Sequence, residues 1–134
     1  MSKDQLEKEL KPLYDGLLMR SETDNPFEFY YFENTQHLPL NANTVASLAG
    51  KSNGAEIKTE ELDHFFRNMV HLYPEDGEER KQEVERYKQL QQKLHDLLQD
   101  VQVFKADEIS ITAYILGKTP EGDFAGLRTI VVET

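Results

Sequence analysis

Two hydrophobic periods alternate along this chain, and the shorter one dominates its C-terminal third. Three runs there are crowded with β-branched and aromatic residues: Val101–Asp107, Glu108–Gly117 and Phe124–Val132. In the middle run Ile109, Ile111, Ala113 and Ile115 fall on one face while Tyr114 and Leu116 load the other, which is the period of a strand. The last run is apolar on both faces apart from Arg128 and Thr129. A strand with no face to spare for water needs cover on both sides. Between these two runs, Thr119-Pro120-Glu121-Gly122 predicts a short type I-like turn, because Pro presets φ at its second position and Gly suits its fourth. The hairpin is therefore expected in the middle of a sheet, with helices above and below.

The longer period marks the helices. Ser2–Leu18 reads as one, with Ser2 and Gln5 forming a capping box and Leu6, Leu10, Leu13 and Leu17 at helical spacing. Pro12 should kink it or restart it. The polar cluster from Arg20 to Pro26 is expected to be a turn or exposed loop. Phe27–Phe32 reads as a strand with Phe27, Phe29 and Tyr31 on one face. Asn41 or Asn43 should cap a short helix through Leu48, and residues 55–58 suggest a short strand. Thr59 is then expected to cap a helix carrying Leu62, Phe65, Phe66 and Met69, with Glu60, Glu61 and Asp63 in its first turn. A long helix from Glu78 to Gln99 follows, its apolar stripe made of Val84, Tyr87, Leu90, Leu94, Leu97 and Leu98. Its length of about 33 Å is enough to cross a sheet. Too few heptads are present for a coiled coil. The pattern predicts a single α+β domain over residues 1–134, with helices on both faces of a mostly antiparallel central sheet.

Composition narrows the chemistry. The chain has no cysteine, which removes disulfides, thiolate catalysis and Cys-ligated zinc together. Without an apolar signal region or a membrane-length run, the simplest expected compartment is the cytoplasm. Asp and Glu number 25 against 15 Lys and Arg, a formal net charge of −10. Phosphate backbones repel such a chain, so direct nucleic-acid binding is disfavoured and a basic protein surface is the natural partner.

No catalytic motif stands out. Gly50-Lys51-Ser52 and Gly117-Lys118-Thr119 end like phosphate loops, but the required earlier glycines are Val45 and Thr112. His37, His64, His71 and His95 lack metal-ligand spacing, and no nucleophile elbow is present. No catalytic residue, no metal of its own and no cofactor are assigned. Two further readings stay open, an acidic interaction module for another basic partner and a small enzyme with an unmarked carboxylate site.

Three acidic surfaces remain: the loop with Glu22 and Asp24, the group Glu60, Glu61 and Asp63, and the run from Glu75 to Glu85. The first differs in kind, since Ser21 and Pro26 flank carboxylates held on a loop, where recognition residues concentrate. At these residues the sequence resembles the nuclease A inhibitor family. The likeness runs through Asp15-Gly16-Leu17-Leu18, Ser21-Glu22, Pro26-Phe27 and Asp63 with Phe65-Phe66. It is densest in Gly117-x-Thr119-Pro120-x-Gly122 and in Ala125-Gly126-x-x-Thr129-x-Val131-Val132-Glu133-Thr134.

The resemblance implies an α/β/α sandwich and a protein inhibitor of a non-specific DNA/RNA endonuclease with a ββα-metal active site, plugging that site without acting on nucleic acid itself. It implies that Glu22 and Thr134 approach the target's magnesium, a hard cation that takes oxygen ligands. The expected partner-binding set is Glu22, Asp24, Tyr73, Glu75, Glu133 and Thr134. Where that family carries a tryptophan before the long helix this chain has none, and Tyr73 is the nearest aromatic residue.

Overall fold

The computed structural model describes residues 2–20, 23–50, 57–106 and 110–132. Helix α1 spans Lys3–Tyr14 and opens with the expected capping box, in which Gln5 N donates to Ser2 Oγ and Ser2 N to Gln5 Oε1. It ends a turn before the predicted Leu18. Leu6, Leu10 and Tyr14 form its buried stripe, Asp15 is the C-cap, and the chain then turns away into a strand.

That strand corrects the expectation of a loop from Arg20 to Pro26. Strands β1 (Leu18–Arg20) and β2 (Asp24–Pro26) pair antiparallel as a separate two-stranded ribbon, Leu18 opposite Pro26 and Arg20 opposite Asp24. The apolar anchor is short: Leu17 and Met19 are buried and Leu18 is half-buried. Three-residue strands hold too little pattern to be read from the polar residues around them.

The main sheet contains β3 (Glu28–Phe32), β4 (Ile57–Glu61), β5 (Gln99–Ala106), β6 (Ser110–Lys118) and β7 (Phe124–Val132) in the order β3-β7-β6-β5-β4. Every pairing is antiparallel. The predicted hairpin β6–β7 is internal to the sheet, as its two-faced apolar pattern requires. Gly117 lies within β6 opposite Ala125, rather than at the turn. The turn itself is Pro120-Glu121-Gly122, closed by Gly122 N to Thr119 O at 2.9 Å and Thr119 N to Asp123 O at 2.9 Å. Gly122 takes φ +89°, the left-handed residue that lets a type I turn match strand twist.

Helices cover both faces. On one, α1, α3 (Leu62–Phe65) and α4 (Glu78–Leu97) bury Leu6, Leu10, Phe66, Tyr87, Leu90 and Leu94 against Val103, Ile111, Ala113, Ile115 and Leu127. On the other, α2 (Ala42–Leu48), capped by Asn41, sets Val45 against Phe104, Tyr114 and Leu116. The architecture is therefore α+β with helices on both faces of an antiparallel sheet, as the sequence pattern predicts.

One predicted helix is corrected. Thr59 is a strand residue opposite Phe104, and α3 is a single turn whose N-cap is Glu61. Pairing with β5 wins here because it gives residues 57–61 a full ladder of backbone partners, which outweighs the local cap preference of Thr. Glu60 is consequently no exposed carboxylate. Its side chain meets His64 Nδ1 at 2.7 Å, Arg67 at 3.7 Å and Lys105 at 3.9 Å.

A polar knot fixes the other end of the sheet. Tyr31 Oη donates to Asp123 Oδ2 at 2.5 Å and Asn34 N donates to Asp123 Oδ1 at 2.9 Å. Buried Asn34 in turn donates to the carbonyls of Leu38 and Gly122 and accepts from Leu38 N. Burial and the bond to Asp123 push the Tyr31 hydroxyl up to about 12, while the bond from Tyr31 holds the Asp123 carboxyl below its ordinary range. The β6–β7 turn and the loop after β3 are thus locked together.

Candidate partner-binding surface

The direction of α4 decides which side chains share an end of the molecule. Its C-terminus passes through Leu98 directly into β5, whose first residue Gln99 pairs with Lys118 beside the β6–β7 turn. Twenty residues at helical rise carry the N-terminus about 30 Å from that turn. Midway, the Tyr87 hydroxyl donates to Leu18 O and Arg86 Nη2 donates to Asp15 O at 2.7 Å. Glu78 and the segment before it therefore sit at the end of the sheet where β7 finishes.

The β1–β2 ribbon occupies the same end. Both of its strands pack beside β7, and Thr129 Oγ1 donates to Pro26 O at 2.9 Å. The β3–β7 register, Glu28 opposite Arg128, runs antiparallel toward β2 and Val132. Asp24 is exposed on that ribbon. Phe27, immediately after it, sets its ring at a tilt 6.0 Å from Phe66, and Phe66 lies 5.8 Å from Tyr87, so the segment leading to α4 is anchored to the ribbon through the core.

That segment presents the remaining described candidates. Residues 73–76 form a turn in which Asp76 N donates to Tyr73 O at 3.0 Å and Tyr73 N donates to Asp76 Oδ2 at 2.7 Å. Pro74 takes the turn position that its fixed φ favours. Glu75 is at the tip and exposed. Tyr73 is 57% exposed and Leu72 40%, two of the three large apolar side chains exposed among the described residues. The Tyr73 ring meets His71 edge-on at 4.5 Å. Glu78 and Glu79 follow in the first turn of α4.

Of the six expected partner-binding residues, Asp24, Tyr73 and Glu75 are thus brought to one end. Glu22, Glu133 and Thr134 lie outside the described residues. Two features of this end were not visible in the sequence: the pairing of Asp24's segment into a ribbon, and the exposure of Leu72 beside Tyr73. Beside the ribbon is a cleft of about 250 Å³ lined by Pro26, Glu28, Tyr114, Arg128 and Ile130. Arg128 pairs with Glu28 at 2.7 Å, which raises its pKa, and lies 6.0 Å over the Tyr30 ring.

The opposite end holds a different feature, a cleft of about 420 Å³ between α3, α4 and β5 with Glu61, Asp63, His95, Asp100 and Lys118 in its wall. All of these but Lys118 are exposed. Asp63 accepts from His95 at 3.0 Å and also from Gln91; these bonds hold its carboxyl below the ordinary range, and Lys118 pairs with Asp100 at 3.2 Å. A carboxyl that stays ionised and paired is poorly suited to act as a general acid. Among the described residues no group of three His, Cys, Asp or Glu is placed to hold a metal ion, and no helix is long and apolar enough to cross a membrane.

A family model described as nuclease A inhibitor-like protein matches residues 4–134. No curated protein matches the chain.

Proposed function

The chain belongs to the nuclease A inhibitor-like family, and on that premise we propose that it inhibits a sugar-non-specific, metal-dependent DNA/RNA endonuclease by plugging its active site in trans. The plug is the end of the molecule that carries the β1–β2 ribbon, the C-terminal end of β7 and the turn before α4. Glu22 and Thr134 approach the magnesium of a ββα-metal site, where oxygen donors suit a hard cation. Asp24, Glu75 and Glu133 supply the charge that substrate phosphates otherwise bring, and Tyr73 gives an aromatic anchor of the kind that dominates interfaces. The protein needs no cofactor of its own, binds no nucleic acid directly and acts in the cytoplasm as a single folded domain.

The observation that supports this reading is the convergence of Asp24, Tyr73 and Glu75, from elements about fifty residues apart in sequence, at the end where β7 finishes. A chain of net charge −10 should also be drawn to the basic cleft that a nuclease needs for its substrate. Association with a target nuclease is therefore expected to slow by about tenfold or more between ionic strengths of roughly 0.01 and 0.15 M, as the Debye length shrinks from about 30 to about 8 Å. Stopped-flow rates that stay flat over that range contradict charge-steered plugging.

A further inference from the structure

The structure assigns Arg80 a role in partner binding at a distance: we propose that it is the positioning residue that holds the Leu72–Tyr73 ridge and the Glu75 turn in their docking geometry. Arg80 stands in the first turns of α4, after the ridge in sequence. Its guanidinium folds back, with Nη2 donating to the Asn68 carbonyl at 3.0 Å and to the His71 carbonyl at 3.4 Å. Its Nη1 donates to Glu83 Oε1 at 2.7 Å, one helical turn on. One planar group thus ties the first half of the connection between α3 and α4, at residues 68 and 71, to the helix that follows it.

The connection depends on this. Phe66 and Met69 are buried and Val70 packs against the core, but from His71 to Gly77 no residue is buried, so the core does not hold the ridge itself. Gly77, the N-cap of α4, offers no side-chain cap. Within the ridge the Tyr73–Asp76 turn and the His71–Tyr73 ring contact give local order. Arg80 is the side chain that bonds the backbone just before that turn. A guanidinium presents five donors in a rigid plane, whereas an ammonium presents a point charge that cannot span two carbonyls and a carboxylate in fixed directions. Holding a loop in its bound geometry strengthens binding by lowering the ordering cost at association.

The inference rests on the reading of this end as the inhibitor surface, and its test separates the two. Arg80→Lys keeps the charge and removes the fork. Backbone hydrogen exchange of residues 70–77 in the free protein should speed up by about tenfold while the exchange of α4 beyond Glu83 and of β6 stays unchanged. Against a purified magnesium-dependent, non-specific endonuclease that the unsubstituted chain inhibits, Arg80→Lys should weaken inhibition by roughly tenfold. In a Leu72→Ala/Tyr73→Ala/Glu75→Ala background the same change should cost less than about twofold, because the side chains it positions are gone. Faster exchange with unaltered inhibition overturns the proposal, and so does a full additional loss in that triple background. Should Arg80→Lys lower overall stability, Arg80→Gln and Glu83→Gln are compared at equal folded fraction; Glu83→Gln, which leaves both carbonyl bonds possible, should retain most of the inhibition. If the chain inhibits no such endonuclease while the exchange pattern appears as described, the functional reading fails and the clamp itself stands.

Discussion

Gly126→Ala should abolish the fold or cost it more than about 4 kcal/mol, at the far end of what single substitutions do. Gly126 sits in β7 between Tyr30 of β3 and Leu116 of β6. Its φ is +155°, and a Cβ built there overlaps the carbonyl oxygen of Ile115, with Ile115 C at 2.9 Å and Leu116 Cα at 3.3 Å. These are backbone atoms of the strand next door, so no rotamer change relieves the clash. Relief requires β6 and β7 to separate in the middle of the sheet, where Ile115 and Leu127 are fully buried. Typical domains are stable by only about 5–15 kcal/mol, so the loss consumes much of that margin. Urea unfolding followed by circular dichroism measures it, and a midpoint close to that of the parent protein contradicts the close β6–β7 approach.

Glu22→Ala should weaken inhibition by about 30-fold or more, the equivalent of roughly 2 kcal/mol, as expected for a hot-spot side chain at a metal. The size follows from the chemistry. A carboxylate facing a divalent ion in a water-poor contact is not replaced by anything when truncated, and the cation must find another oxygen. The melting curve of the variant should overlay that of the parent. Leu94→Ala supplies the contrast: Leu94 is fully buried on the α4 stripe, and its truncation should destabilise by roughly 2–5 kcal/mol. Inhibition by Leu94→Ala, corrected for the folded fraction, should be unchanged. A Glu22→Ala protein that unfolds, or one that inhibits as well as the parent, refutes the assignment of Glu22 to the metal.

What the sequence disclosed followed from the length and regularity of each element. The β6–β7 hairpin was legible because two nine-residue runs are crowded with β-branched and aromatic residues on both faces, and Pro120 and Gly122 mark the turn between them. The stripe of α4 was legible for the same reason over twenty residues. The end of α1 and the start of α3 were not. At Leu18 a helical spacing of leucines continues past the cap, and only the pairing of Leu18 with Pro26 makes it a strand. At Thr59 a good cap residue is overruled by a ladder with β5.

The candidate surface shows the same division. Asp24 was expected on a loop and lies instead on β2, Glu75 was visible only as the start of an acidic run, and Tyr73 came through the family resemblance. Their placement at one end depends on the direction of α4, which a periodic stripe does not disclose. Arg80 gave no signal at all, since an arginine among the charged residues of an exposed helix face reads as solvated until its carbonyl partners at residues 68 and 71 are known.

The claim on which the rest depends is that this acidic end blocks a nuclease. The direct measurement is a titration of a purified magnesium-dependent, non-specific endonuclease from the same organism with the unsubstituted protein. Residual cleavage of both DNA and RNA is followed at saturating magnesium and low salt. Both activities should fall linearly to near zero at one inhibitor per active site, with the substrate alone left intact by the inhibitor. Undiminished cleavage at a large molar excess of correctly folded protein contradicts that claim.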